Sequence, residues 1–281
     1  MIEISDIELS KLETLARDVS REAGELLLRK WVQPLQVSKK GYRDFVTDAD
    51  YAAQALITEN ILKMYPDHGF LTEEDDPSLA EEGPIVWIID PVDGTSNYSR
   101  HLPTFCVSVA AAEIINFDDL ETANLSKQPV THRVLAASIF DPFRDELFSA
   151  SLGQGCTLND QPMRVSPTTD MESAIIGLDW SRDYQRREQM FEAVGRFIHQ
   201  VQSVRATGSA ALALAWIAAG RLDAYCNLAL SAWDVAAAEL LIAEAGGQLS
   251  NISGGTWRLN HPGCLASNRH LHQEIIALTQ F

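Results

Sequence analysis

The chain has little of what would place it in a special class of protein. Four cysteines occur in 281 residues, Cys106, Cys156, Cys226 and Cys264. They are widely spaced, form no C-x-x-C pair and lie mostly in apolar surroundings, so they read as buried reduced thiols, neither a disulfide framework nor a zinc site. No apolar run approaches the ~20 residues that cross a bilayer. The opening Met1-Ile2-Glu3-Ile4-Ser5-Asp6 lacks the basic start of a signal peptide, so a cytoplasmic location without membrane attachment is expected. Positive charge is scarce: 22 Lys and Arg stand against 39 Asp and Glu, a net −17. A nucleic-acid backbone needs a basic face against which to release counterions, so no nucleic-acid partner is expected. Tandem repeats, heptads and low-complexity linkers are absent from the pattern. What is left is an ordinary globular composition, 46% hydrophobic, with enough chain for one large domain or two lobes.

The most informative segment is Ile89-Asp90-Pro91-Val92-Asp93-Gly94-Thr95-Ser96-Asn97-Tyr98. It follows the β-branched apolar run Ile85 to Ile89, which suits a buried strand. Pro91 is expected to stop that strand, and Gly94 supplies a permissive backbone. Thr95, Ser96 and Asn97 are helix N-cap candidates. Strand, turn and helix start thus place two carboxylates where a hard cation could sit, beside N–H groups that can face an anion. One aspartate at a strand end is more often only a turn former. Three further acidic motifs strengthen the functional reading: Glu73-Glu74-Asp75-Asp76 after Gly69-Phe70-Leu71-Thr72, Trp233-Asp234 opening an alanine-rich run, and Thr47-Asp48-Ala49-Asp50. Taken singly, these read as a solvated loop and two helix starts.

The periodicity places these motifs on elements. Helices are expected at 8–30 and 50–64, strands at 85–89, 105–112, 134–140 and 145–149, and an exposed loop from Phe117 to Thr131. From 174 onward strands and helices alternate: strands near 174–178, 202–205, 223–226 and 263–266, helices at 184–199, 209–219, 234–245 and 268–278. The first half therefore reads as α+β and the second as α/β. The expected division is an N-terminal lobe, 1–150, carrying most acidic ligands, and a C-terminal lobe, 151–281, carrying Asp234 and the substrate pocket.

Glu73-Glu74, the Asp90 to Tyr98 motif, and Trp233-Asp234 followed by Glu244-Ala245-Gly246-Gly247 resemble the motif set of the inositol monophosphatase family. That family belongs to a lithium-sensitive, magnesium-dependent phosphatase superfamily that includes fructose-1,6-bisphosphatases and 3'-phosphoadenosine-phosphate phosphatases. The resemblance runs from Lys39 to the C-terminus and extends to Gly153-Gln154-Gly155 and Arg205 to Ala210. It implies a layered αβαβα sandwich, a homodimer, lithium inhibition and two or three Mg2+ ions per site. Glu73, Asp90 and the Val92 carbonyl would hold one ion, and Asp90, Asp93 and Asp234 a second. Glu73, Thr95 and Asp50 would orient the attacking water. Lys39 aligns with a family lysine near the site. Phosphate would sit on the Gly94 and Thr95 amides, with Gly208, Ser209 and Ala210 lining the pocket. Independently of the resemblance, a dianionic phosphate cannot settle beside four carboxylates without intervening cations, because like charges a few Å apart repel by several kcal/mol at moderate dielectric, roughly.

Substrate is less constrained. Seven residues before the Trp-Asp aspartate the family carries a Glu that contacts a substrate hydroxyl, whereas this chain has Asn227, which keeps hydrogen bonding but loses charge and reach. The reading is a small phosphorylated polyol or sugar, inositol monophosphate first, with fructose 1,6-bisphosphate, 3'-phosphoadenosine 5'-phosphate or histidinol phosphate as alternatives. Two rival classes remain: a phosphatase that forms an aspartyl-phosphate, disfavoured because two residues separate Asp90 from Asp93 instead of one, and a regulatory protein-binding member with vestigial catalysis.

Overall fold

Helix α1 (Asp6–Trp31) forms because Leu9, Leu12, Leu15, Ala16, Val19, Ala23 and Leu27 recur on one face, all buried. Ser5 caps its start, accepting from the Glu8 amide at 3.3 Å, and Arg29 and Lys30 complement the dipole at its end. A hairpin that the periodicity did not announce follows, β1 (Val37–Gly41) antiparallel to β2 (Asp44–Thr47). It leads into α2 (Asp48–Met64). The computed structural model describes residues 4–41, 44–114 and 131–279; the loop expected from Phe117 lies outside them up to residue 130.

Seven strands make the first sheet, in spatial order β3 (Gly69–Thr72), β4 (Val86–Asp93), β5 (Cys106–Ile114), β6 (His132–Asp141), β7 (Glu146–Ser151), β8 (Cys156–Leu158) and β9 (Gln161–Pro162). The sheet therefore continues through Pro162, past the division expected at 150/151. A second sheet of five strands has the order β11 (Ser203–Ala206), β10 (Ile175–Leu178), β12 (Ala224–Asn227), β14 (Cys264–Ser267) and β13 (Gln248–Ser250). The short helix α3 is Thr95–Ser99, and the remaining helices are α4 (Tyr184–Phe197), α5 (Ala210–Ala218), α6 (Ala232–Glu244) and α7 (His272–Thr279).

Five layers result, as the family resemblance implied. Helices α1 and α2 cover one face of the seven-stranded sheet, α5 and α6 lie between the two sheets, and α4 and α7 cover the outer face of the second. The alternation along β4 shows why: Trp87 and Ile89 join the α1/α2 core, while Val86 and Ile88 join the α5/α6 core. A strand covered on both faces reads as an unbroken apolar run. The middle layer is built from alanine, with Ala210, Ala211, Ala213, Ala215, Ala236, Ala237 and Ala238 buried, which lets α5 and α6 fit in one layer between sheets. At the C-terminal end of α6, Glu244 accepts from the Gly153 and Gly155 amides, each at 2.7 Å, and so ties the β7–β8 turn to the helix.

Candidate active site

Strand β4 delivers two carboxylates. In a regular strand, residues three apart face opposite sides of the sheet. Here Asp90 pairs with Ser108 and Asp93 with Cys106, so β4 carries one residue more than its neighbour between them. The bulge turns both aspartates toward α5 and α6. Pro91 does not stop the strand, contrary to expectation; it lies in the bulge, where a missing N–H costs no ladder bond.

The buried Asp93 is gripped by the start of α5. Its Oδ2 accepts from the Ser209 hydroxyl and from the Ala211 amide at 2.9 Å, and its Oδ1 from the Ala210 amide at 3.2 Å. Ser209 was expected to line the substrate pocket; it is buried and its hydroxyl is committed to Asp93, whereas Gly208 and Ala210 do line the cavity. Gly208 has φ +72°, and a Cβ there would stand 2.8 Å from the Asn97 side chain.

Asp234 is the N3 residue of α6, accepting from the Ser231 amide at 2.7 Å in a capping box. Asp50 plays the same part in α2, accepting from the Thr47 amide at 2.9 Å. Both are helix-start acids, and Asp234 also lines the cavity. The second oxygen of Asp50 receives the Thr95 hydroxyl at 3.0 Å, with the Val92 carbonyl at the same distance from that hydroxyl. Glu73 follows β3; its amide extends the ladder to the Ile89 carbonyl at 3.2 Å, which sets its carboxyl against that of Asp90.

Ligand atoms from Asp90, Asp93 and Asp234 all lie within 4.8 Å of one another. Burial raises every carboxyl in the group, and repulsion from neighbouring carboxylates adds to it at Glu73, Asp90 and Asp234. Glu73 is pushed up to about 8 by burial and then by Asp234, and Asp234 to about 7 by burial and then by Asp93. Asp90 rises well above the carboxylate range through burial, then Glu73 and Asp93. Burial also raises Asp50. An all-oxygen cluster that resists ionising together fits a hard divalent cation, whose charge would offset the repulsion.

Lys39 and Lys40 are neighbours on β1, where the pairing with β2 shifts register between Lys39 and Gly41. It is Lys40, not the expected Lys39, that lines the cavity, where it pairs with the buried Glu74. Asn227, at the end of β12, lines the cavity too. Its amide donates to the Tyr225 hydroxyl at 3.2 Å and its Oδ1 accepts from the Ala229 amide at 3.0 Å. The cavity holds about 1090 Å³ and opens between the two sheets.

Sequence reading missed Asp179, which follows β10 and accepts from the Gly208 amide at 2.7 Å, the Thr207 hydroxyl at 3.0 Å and the Tyr225 hydroxyl at 3.1 Å. Burial pushes it up to about 6. The signal was present: an apolar run, Ile175 to Leu178, ending in Asp, as at Asp90. Also missed were four arginines on the cavity wall, Arg100, Arg182, Arg186 and Arg187.

Fold and donor set together define the class: a five-layer α/β protein with a buried, all-oxygen acidic centre suited to a hard cation. The chain belongs to the inositol monophosphatase family, whose model matches residues 8–281. It is 34% identical over 267 residues to the Nus factor SuhB of Salmonella typhimurium strain LT2, covering 94% of each chain. To the Nus factor SuhB of Escherichia coli K12 it is 37% identical over 244 residues, covering 86% of this chain and 85% of the other. Among solved structures, the extragenic suppressor protein suhB of Bartonella henselae superposes with a TM-score of 0.84 at 31% identity, covering 95% and 97% of the two chains. The inositol monophosphatase of Anabaena superposes at 0.80 with 29% identity, over 97% and 96%. No described helix is long and apolar enough to cross a membrane. The expectation of no nucleic-acid partner gains no support from relatives named Nus factors.

Proposed function

We propose that this protein is a magnesium-dependent phosphomonoesterase that transfers the phosphoryl group of a small phosphorylated polyol or sugar directly to water. The observation that carries this is the convergence of Asp90, Asp93 and Asp234 within 4.8 Å on the wall of a large cavity. Glu73, Asp90 and Asp234, with Asp93 and the Val92 carbonyl, would hold the cations. Bound Mg2+ supplies Lewis-acid polarisation of the phosphoryl oxygens and lowers the pKa of water. The chain's own residues do the rest. The Asp50 carboxylate receives the Thr95 proton, which leaves the Thr95 oxygen lone pairs to accept from, and aim, a water. Glu73 takes the proton that water gives up. The water oxygen bonds to phosphorus, the ester P–O bond breaks with its electron pair going to the departing oxygen, and that oxygen takes a proton from solvent water and leaves as an alcohol.

Phosphate release from inositol 1-phosphate, fructose 1,6-bisphosphate, 3'-phosphoadenosine 5'-phosphate and histidinol phosphate, with and without Mg2+, tests the proposal. Turnover of at least one that needs Mg2+ and falls about 10³-fold or more in Asp90→Asn is the expected result, by analogy with the size of lost electrostatic stabilisation. Equal release without the metal, or trapping of an aspartyl-phosphate, would overturn it.

The relatives' name, Nus factor, supports a second reading in which binding of a partner is the main role. On that reading the Asp90→Asn variant would retain full function in a cell while losing phosphatase activity.

A further inference from the structure

The C-terminal ends of β10 and β12 carry a hydrogen-bond network that the activation of water does not use. The two strands run parallel, with Gly177 opposite Tyr225 and Leu178 opposite Cys226, so Asp179 leaves β10 beside Asn227. Tyr225 and Asn227 are two apart on β12 and share a face. The Tyr225 ring fits against β10 because its partner there is glycine: a Cβ on Gly177 would stand 3.0 Å from the ring. The three polar side chains then reach one another. Tyr225 Oη donates to Asp179 Oδ2 at 3.1 Å, Asn227 Nδ2 to Tyr225 Oη at 3.2 Å, and the Ala229 amide to Asn227 Oδ1 at 3.0 Å.

Counting protons fixes the direction of each bond. Burial pushes Asp179 up to about 6, so in mildly alkaline solution it is a carboxylate, which only accepts. Tyr225 is buried, and burial, then Asp179, hold its pKa well above the ordinary value, so the phenol keeps its proton. That proton is spent on Asp179. The Tyr225 oxygen can then only accept from Asn227, which must turn its nitrogen toward it. The Ala229 end agrees, because a backbone N–H needs Oδ1. Nδ2 carries two N–H groups and gives one to Tyr225. The other has no hydrogen-bond partner among the described residues, although Asn227 is only 5% exposed and lines the cavity. A buried N–H without an acceptor is costly, so the site favours a ligand that brings one. We infer that Asn227 donates this N–H to a lone pair on the organic part of the substrate, and that Asp179, acting through Tyr225, is the positioning residue that locks the amide in that orientation. A hydroxyl, ether or ring-nitrogen lone pair satisfies this wall, and an ammonium group does not. The inference rests on the phosphomonoesterase reading and adds to it the hydrogen-bonding character of the leaving group.

Two variants cut the network while nearly preserving size. Asp179→Asn also removes a negative charge from the cavity wall, which by Coulomb attraction alone would tighten an anionic phosphate ester and lower KM. Positioning requires the opposite sign. With saturating Mg2+ and the best substrate of the four above, KM should rise about tenfold in Asp179→Asn and in Tyr225→Phe, the size of one hydrogen bond, with kcat within about threefold. Because both residues act through one amide, the double variant should stay near about tenfold and not approach about a hundredfold. A fall in KM for Asp179→Asn, or multiplied effects in the double variant, would refute the lock while leaving the phosphatase intact. A second measurement needs no turnover. The Asn227 side-chain amide protons, identified by NMR in asparagine-labelled protein by their absence in Asn227→Asp, should exchange with solvent at least about tenfold faster in either variant than in the unaltered chain. Unchanged exchange would overturn the lock. No Mg2+-dependent release from any of the four esters would remove the phosphatase reading itself, and the substrate contact of Asn227 with it.

Discussion

At the scale of single residues, the site is held by side chains with two jobs. Asp50 closes the capping box of α2 and also receives the Thr95 hydroxyl. Asp234 does the same for α6 and joins Asp90 and Asp93. The two jobs separate by mutation. Thr95→Val removes the hydroxyl without touching a cap, and should lower kcat about 10²-fold with little change in KM, the low end for a positioned proton-transfer group. Asp50→Asn should show a similar kcat loss and, in addition, about 1 kcal/mol of destabilisation from the weakened cap, read by denaturant unfolding. A Thr95→Val variant with undiminished kcat would rule out the Asp50–Thr95 pair as the water orienter.

At the scale of elements, the decisive feature is the bulge in β4. It inserts one residue at Pro91–Val92 and so brings two aspartates three apart onto one face. The next residue, Gly94, sits at φ +97° as the N-cap of α3, with Thr104 and Gly208 carbonyls 3.0 and 3.2 Å from where a Cβ would be. Gly94→Ala therefore combines an unfavourable backbone region with two tight contacts, and should cost about 1–3 kcal/mol of stability. Because Gly208 begins the turn whose following residues grip Asp93, the same change should weaken Mg2+ binding by calorimetry. Unchanged stability and metal affinity would show that the turn tolerates a side chain. The sequence displayed the strand, the two aspartates and the glycine, but the bulge was not legible, because a proline after an apolar run signals a strand end as readily as a bulge. The same ambiguity hid the β1–β2 hairpin: neighbouring lysines at 39 and 40 give no sign of which one the hairpin turns inward.

At the scale of the whole molecule, the acidic centre costs stability when no cation is bound. Glu73 and Asp234 ionise at about 8 and about 7 in the fold, against ordinary values of 4.5 and 3.8. Between those limits the folded chain binds more protons than the unfolded one, so the free energy of unfolding falls as pH rises through the window. In EDTA the melting temperature should thus drop between about pH 5.5 and pH 8.5, and Mg2+ should raise it more at the higher pH, where its ligands are ionised. A metal-free melting temperature that climbs with pH over this range would contradict the burial of these carboxyls.

The sequence alone determined the family-level outline of this protein. Long apolar-periodic segments announced α1, α2, β4 to β7 and the alternating second half, because 3.6- and 2-residue periods reflect which faces are buried. Residue type at four strand and helix ends announced an acidic centre. Only the tertiary structure decided which acids meet, since Glu73 follows β3, Asp90 and Asp93 lie on β4 and Asp234 on α6, and their approach depends on how layers stack. It alone chose Lys40 over Lys39, committed Ser209 to Asp93, and gathered Arg100 with Arg182, Arg186 and Arg187 around one opening. Charges that act through space across more than 80 residues of chain leave no local pattern to read.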